Sequence, residues 1–427
     1  MFILEENMQQ EITSGVRFNF EKQNKFKNVA ISIDFVEPLA NDNLAERTMV
    51  AEMMENYSNK YNSKLKVARK LAELYGARFG TNIFKVGDVV VLRIIITFIN
   101  EHFLETKINL VNQICDFLQE IIFHPYLING IYPDELFNLQ RDNLVDYLNN
   151  LSDNKKYYAA RQIKKMYFAN DPQNAKLIFG DVDKLANITS KRVAEYYHEM
   201  ITHNEVYISV QGSLDESQIA TIQDHFKFSQ RANLKVKLKT RPDQRSVVYK
   251  TELAQQKQSQ LNLMYQFPVS LKSIDYYDAL VMNSLLGGSA SSLMFLNIRE
   301  KESLAYYISS SFNTTLGYLM IQSGIDGNQA EKVQDMIKSQ IKRLIDENYS
   351  EGLLDKIKKS LISNYLTNFD SERKLLNNLF INALVDNQTT KNDWIEGIQS
   401  VNKRSIALVA KKLELKSVFL LKGEDDA

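Results

Sequence analysis

"LLGGSASSLMFLNIREKESLAYYISSSF", residues 285–312, decides the fold because it passes from a helix end through a second helix into a strand. Gly287 and Gly288 predict the end of a helix and a tight turn, since glycine lacks a restricting Cβ atom. The next residues, 289–300, begin with serines suited to helix capping. Residues 304–312 have the β-branched and aromatic side chains typical of a strand. This half of the chain therefore mixes helices and strands.

The same mixture recurs along the chain at an offset of about 210 to 230 residues, which suits a duplicated domain better than a solenoid. Three pairs of strand-like runs carry the repeat: 28–39 with 259–271, 89–99 with 317–326, and 206–212 with 417–423. Chance similarity between short strands is the alternative explanation.

Between these runs, apolar residues recur every three or four positions, which predicts amphipathic helices. Four such segments stand out: 43–57, 62–76, 107–123 and 328–347. We therefore predict an α+β protein in which each domain has a mostly antiparallel sheet covered by helices. The predicted domains are 1–228 and 246–427, joined by a linker at 229–245 whose charges we interpret as those of a solvated connector.

The composition of the chain limits the classes of partner and the cellular location that we expect. The 427 residues exceed one ordinary core, and 52 basic against 52 acidic residues give no electrostatic case for a nucleic-acid or membrane partner. The single cysteine, Cys115, excludes an internal disulfide. The start shows no secretory signal, and the apolar run 89–99 is too short to span a bilayer. We expect a cytoplasmic protein.

Residues 285–312 closely resemble the C-terminal domain of the pitrilysin-like (M16, insulinase-family) zinc peptidases, where a glycine pair, a Ser-x-Leu helix, Arg-Glu and Leu-Ala-Tyr occur in this order. The resemblance extends over nearly the whole chain, including LAELYGARFGTN (71–82), IIFHP (121–125) and VQGSLDESQI (210–219). It implies two homologous M16-type domains forming half of a clamshell. Residues 151–172 resemble a bacterial subfamily associated with elongation factor P modification.

Catalytic members of that family carry H-x-x-E-H on the helix after the first strand, where two histidines bind zinc and the glutamate acts as general base. The best register places Thr48 and Glu52 at the two histidine positions and Ala51 at the glutamate position. No histidine occurs between Met1 and Glu101, so shifting this alignment by one residue would still place no histidine at a ligand position. The resemblance therefore implies a zinc site that is absent from this chain, and we expect no cofactor.

The remaining candidate ligands do not restore that site. The family's third ligand is a glutamate that falls within 134–148, where Glu135, Asp142 and Asp146 are candidates. EHFLET (101–106) contains H-x-x-E, but Thr106 stands where an inverted motif needs histidine, so we interpret His102 as an exposed loop residue. The other histidines are predicted to be surface or capping residues: His124, His198, His203 and His225.

Two further catalytic helpers of the family are intact here, an arginine and a tyrosine seven residues later: Arg299 and Tyr306. An arginine fork suits substrate carbonyls, and a tyrosine hydroxyl can donate to a developing oxyanion. From spacing alone, Arg299 could equally be a cation at a helix C-terminus and Tyr306 a strand residue. The family resemblance favours substrate binding.

Some bacterial members divide the work between a zinc-bearing chain and an Arg/Tyr-bearing chain. The resemblance therefore predicts a non-catalytic subunit of a heteromeric zinc metallopeptidase, partnered by an M16 chain with H-x-x-E-H and acting on a peptide substrate. The alternative is a non-hydrolytic peptide-binding or scaffold protein in an elongation factor P modification pathway. A free-standing zinc peptidase is a third possibility, which the missing motif disfavours.

Overall fold

The structure, a computed structural model, describes residues 7–238 and 246–423. These residues form two compact units, each built around one sheet. Of the described chain, unit 1 contains 7–148, 177–236 and 368–387, and unit 2 contains 149–176, 237–238, 246–367 and 388–423. The predicted mixed α+β fold is confirmed.

The strands have the following bounds: β1 (Asn7–Thr13), β2 (Val16–Lys22), β3 (Asn28–Pro38), β4 (Arg78–Val86), β5 (Val89–Ile99), β6 (Glu205–Gly212), β7 (Val248–Ala254), β8 (Ser259–Gln266), β9 (Ala305–Asn313), β10 (Tyr318–Ile325) and β11 (Glu414–Gly423). Each of the six recurring runs of the sequence overlaps one of these strands.

The α-helices are α1 (Leu44–Asn56), α2 (Lys64–Glu73), α3 (Leu110–Phe123), α4 (Asp134–Asp153), α5 (Lys155–Tyr167), α6 (Pro172–Ala175), α7 (Val182–Ala186), α8 (Ser190–His203), α9 (Glu216–His225), α10 (Tyr276–Asn283), α11 (Ala330–Ile345), α12 (Glu351–Asn368), α13 (Glu372–Val385), α14 (Lys391–Ser400) and α15 (Lys403–Ala410). No helix in the described part of the chain combines the length and apolar character needed to cross a bilayer.

The two sheets share one strand order. Unit 1 has β1-β2-β6-β3-β5-β4 and unit 2 has β7-β11-β8-β10-β9. In unit 1 the pair β2–β6 is parallel, in unit 2 the pair β7–β11 is parallel, and all other pairings are antiparallel. Among the described strands, β1 is an additional edge strand of the unit 1 sheet. This repetition is what a duplicated domain would produce.

The glycine pair ends its helix as predicted, but close packing is the physical reason. The helix α10 continues through a π-type turn at Ser284–Gly288 before the chain becomes extended at Ser289. A Cβ atom on Gly287 would lie 2.8 Å from the backbone nitrogen of Ser310, and one on Gly288 would lie 3.1 Å from the carbonyl oxygen of Asn283. Gly287 therefore lets the turn pack directly against β9, and Gly288 lets the chain lie close to the end of α10.

Each unit includes a segment from the other half of the chain, so the compact units divide the chain differently from the predicted boundaries 1–228 and 246–427. In unit 2, α5 packs on β8 and β11. Its apolar side chains form a buried cluster with Met264, Met320 and Phe419. In unit 1, α13 packs on β2, β3 and β6. These helices cover apolar sheet faces that would otherwise be exposed to water. Burial of those faces stabilises each helix in the unit formed mainly by the other half of the chain.

The predicted solvated linker is wrong at its N-terminal end. Arg231 is only 8% exposed. Its guanidinium donates to the carbonyl oxygens of Ile201 and Asn204, each at 3.0 Å. This cation satisfies the last carbonyls of α8 and anchors the segment on unit 1, while Lys235 and Lys237 are exposed. Residues 239–245 of the predicted linker lie outside the described residues.

Candidate functional site

Tyr306 lies on β9, which forms one edge of the unit 2 sheet. Ala305 pairs with Ile325 and Tyr307 with Gly324, so Tyr306 is the extra residue of a β-bulge. Bulges redirect a side chain away from the regular ladder. Tyr306 is accordingly 68% exposed, and within residues 7–238 and 246–423 its hydroxyl has no hydrogen-bond partner.

Arg299 lies in the helical segment Phe295–Lys301, which packs against β9. Its side chain is 42% exposed, its Nε is 3.7 Å from Glu300 Oε1, and its guanidinium lies 4.7 Å from the Phe295 ring centre. The backbone N–H of Leu304 donates to Ile298 at 2.9 Å and ties this segment to the start of β9. Arg299 and Tyr306 therefore occupy adjoining elements of one unit, and both side chains are accessible.

Thr48, Ala51 and Glu52, which the family resemblance places at the zinc-motif positions, lie on α1, and Thr48 and Ala51 are buried. The Thr48 hydroxyl donates to the Leu44 carbonyl at 2.8 Å, so it satisfies its own helix. Burial raises the pKa of Glu52, and the nearby Glu55 charge raises it further against the opposing effect of Lys64. Thr48 and Ala51 thus fill the interior with atoms that cannot replace histidine ligands.

A buried ion pair next to these positions was missed from the sequence. Arg47 is fully buried and donates to Glu37 Oε1 at 3.1 Å and to the Phe35 carbonyl at 2.8 Å. It also bonds Asn204. The Tyr196 hydroxyl donates to Glu37 at 2.6 Å, which links α8 to β3. Helical spacing could have indicated this burial. Arg47 lies three residues after Leu44 and four residues before Ala51, which places it on the same face of the helix as those two apolar residues.

The candidate third ligands all lie on α4. Glu135, Asp142 and Asp146 are all exposed on α4. The buried polar residue of this helix is Gln140, whose amide donates to the Tyr57 hydroxyl at 3.2 Å and accepts from Lys64 at 3.2 Å. Its spacing from Phe137 and Leu144 marks the buried helical face and could have identified it.

The histidines occupy the predicted kinds of position. His102 is exposed in the short 3-10 turn Glu101–Phe103. His124 caps the end of α3, and His198 and His203 are exposed on α8. His225, at the end of α9, lies 3.2 Å from Asp116. Across the described residues, no three His, Cys, Asp or Glu side chains converge as a metal-binding group.

Comparison with known proteins matches residues 187–361 to the peptidase M16 inactive domain. The chain is 26% identical over 423 residues to "Probable inactive metalloprotease YmfF" of Bacillus subtilis (strain 168), covering 97% of each chain. The crystal structure of a conserved protein from Enterococcus faecalis V583 is 30% identical, covers 98% of this chain and 99% of its own, and superposes with a TM-score of 0.93. A peptidase M16 inactive domain from Pseudomonas fluorescens has the same fold, with a TM-score of 0.79 at 15% identity.

The two sheet-and-helix units define a protein with the architecture of the M16-like peptidases. Residues 187–361 are similar to the peptidase M16 inactive domain, and the chain as a whole is similar to "Probable inactive metalloprotease YmfF". Both of these descriptions refer to inactive proteins. The elongation factor P association, the roles of Arg299 and Tyr306, and the cytoplasmic location stay predictions.

Proposed function

We propose that this chain is the non-catalytic subunit of a heteromeric M16-type zinc metallopeptidase. It helps to form the peptide chamber and presents Arg299 and Tyr306 to a substrate held at the zinc of a partner subunit that carries H-x-x-E-H. The observation that carries this proposal is the exposure of both side chains at the start of the edge strand β9.

The edge strand supports peptide binding because an extended peptide can add to a sheet edge through main-chain hydrogen bonds. A tyrosine on a bulge at that edge stands outside the ladder, where its hydroxyl can donate to a carbonyl oxygen of the added peptide. The nearby arginine can bind a second carbonyl with its fork of N–H donors. A cofactor is therefore required only in the partner.

The first experiment identifies the partner. The tagged chain is purified gently from its own cells and the intact complex is weighed by native mass spectrometry. We expect a second M16 chain with H-x-x-E-H and one zinc ion. A zinc-free monomer or homodimer would remove the peptidase role and favour the alternative, a peptide-binding scaffold such as one in elongation factor P modification.

The second experiment tests the two residues in the assembled complex. Tyr306→Phe or Arg299→Ala is expected to lower kcat/KM for peptide hydrolysis about 10²–10³-fold, the usual cost of losing a transition-state donor. Tyr249→Phe and Arg404→Ala are matched controls because Tyr249, on the opposite edge strand β7, is 63% exposed and the Arg404 side chain is 71% exposed. Hydrolysis at the wild-type rate by correctly assembled Tyr306→Phe and Arg299→Ala complexes would refute the assigned roles.

A further inference from the structure

Unit 1 contains a cavity of about 330 Å³ beside α13 that no part of the proposed function uses. Three lining residues are cationic: Arg93, Arg373 and Lys374. Four others are asparagines: Asn82, Asn368, Asn377 and Asn378. Within the described chain, no Asp or Glu belongs to this lining. The volume lies at the lower end of the roughly 300–1,000 Å³ of ligand pockets.

Arg93 is the rigid base of the cavity. It is 5% exposed, its Nε and Nη2 contact Asp34 at 2.5 and 3.2 Å, and its Nη1 donates to Asn377 at 3.0 Å. The guanidinium also lies 4.9 Å from the Phe84 ring centre and 4.8 Å from that of Phe380. These contacts fix its orientation in advance. Because Asp34 offsets its charge, the excess positive charge comes from the other two cations.

Arg373 and Lys374 are exposed in the first turn of α13. Cations near a helix N-terminus are disfavoured by the helix dipole, typically by about 0.3–1 kcal/mol each. The Lys374 ammonium donates to Asn368 Oδ1 at 2.8 Å, so it is held at the cavity. A bound anion would offset the unfavourable placement of both cations.

The asparagines distinguish between kinds of anion. Each side-chain amide carries two N–H donors and a carbonyl acceptor. Within the described residues, the amides of Asn82 and Asn378 have no protein hydrogen-bond partner. The dianion of a phosphate monoester offers acceptors only and has no donor for the amide carbonyls, whereas a peptide supplies both a carboxylate and several N–H donors.

We propose that this cavity binds a carboxylate of a peptide, with Arg373 and Lys374 holding the carboxylate and Asn82 and Asn378 bonding the flanking peptide groups. The site needs no partner subunit, and neither Arg299 nor Tyr306 is among its lining residues. If the cavity does not bind a carboxylate, the proposed function is unaffected. If the proposed function is wrong, the proposal for the cavity is unaffected.

The test is fluorescence anisotropy on the full chain with three labelled peptides of one length. The first has acidic side chains and an amidated C-terminus, the second has neutral side chains and a C-terminal carboxylate, and the third has no carboxylate. We expect the first or second to bind and the third to bind at least tenfold more weakly. Which of the two binds identifies the carboxylate as a side chain or a chain terminus.

In Arg373→Ala/Lys374→Ala we expect the dissociation constant of that peptide to rise about tenfold or more, since charged hydrogen bonds are lost. Lys338→Ala/Arg404→Ala changes the net charge equally but removes exposed cations outside the cavity, and should bind as the wild type does. The proposal would be overturned if Arg373→Ala/Lys374→Ala bound the peptide as tightly as the wild type does. It would also be overturned if the wild type bound the carboxylate-free peptide as tightly as the other two. Displacement of the peptide by inorganic phosphate more readily than by acetate would overturn it too.

Discussion

At the scale of single residues, two carboxylates on or beside α1, Glu52 and Glu37, have opposite electrostatic environments. Glu37 is buried, which alone would raise its pKa, but Arg47 and the hydrogen bonds of Tyr196 and two asparagines outweigh burial and lower the pKa. Glu52 has no such arginine, and its pKa is raised by burial and by Glu55. The pH dependence of stability should therefore differ in sign between the two.

Glu37→Gln is expected to destabilise the fold at pH 7 by about 3–5 kcal/mol, because Arg47 is left buried without its carboxylate. A lowered folded-state pKa gives stability that is complete above the ordinary value of 4.5 and is lost as pH falls through the folded value. The difference from wild type should therefore shrink below about pH 4.5. Urea unfolding at several pH values measures it. The exposed Glu195→Gln on α8 is the control, and an undiminished difference at pH 4 would contradict the argument.

Glu52→Gln is expected to do the opposite and stabilise the fold at pH 7. A raised folded-state pKa means that the folded state disfavours the carboxylate at neutral pH. The gain should disappear as pH falls through the raised pKa towards the ordinary value of 4.5, where both states hold the proton. Thermal unfolding across this range measures it, with exposed Glu135→Gln as control. A loss of stability at pH 7 would indicate that Glu52 holds a cation.

At the scale of elements, amphipathic spacing predicts which segments are helical but not which sheet each one covers. The helix α5 shows this. Its buried residues Ala159, Ile163 and Tyr167 recur at four-residue spacing, as any covering helix requires. Yet α5 follows α4, most of which belongs to unit 1, and packs on β8 and β11 of unit 2. Fully burying a side chain such as Ile163 contributes about 1.5–3 kcal/mol.

Ile163→Ala should therefore destabilise unit 2, although residue 163 lies in the first half of the chain. We expect a loss of about 2–5 kcal/mol, since the substitution leaves a cavity within the cluster that includes Met264 and Phe419. Hydrogen exchange monitored by mass spectrometry should show faster exchange in peptides from β8 and β11. Leu408→Ala on α15, half exposed, should change stability by less than about 0.5 kcal/mol. Faster exchange confined to unit 1 would show that α5 packs elsewhere.

At the scale of the whole molecule, the exchange of segments makes each unit depend on both halves of the chain. Residues 368–387 belong to unit 1, where the ring of Phe380 lies 5.3 Å from that of Tyr207 and 5.8 Å from that of Phe84. Without α13, these apolar groups of the unit 1 sheet would be exposed. Sequence-level boundaries drawn between two halves cannot show this dependence, because segments distant along the chain close the cores.

Fragments 1–228 and 246–427 expressed separately should accordingly lack a cooperative unfolding transition, and mixing them should restore it. Each fragment lacks the helix that covers its sheet, so apolar surface remains in water. Circular dichroism during urea titration measures the transition. A synthetic peptide of residues 368–387 should also increase cooperativity in fragment 1–228, whereas a scrambled peptide should not. Cooperative unfolding of the isolated fragment at full stability would show that α13 is dispensable.

The sequence by itself determined the mixed α+β class and several of the helices and strands, and it led to the prediction that zinc ligands are missing from α1. Periodicity and residue type are local properties, and the strand runs 89–99 and 206–212 show them clearly. Only the tertiary structure decided that α5 and α13 cover the sheets of the opposite halves and that Arg47 pairs with Glu37. It also brought Arg373 beside Arg93. These contacts join residues distant in sequence, and their free energy comes from surfaces and charges that meet only in the folded chain.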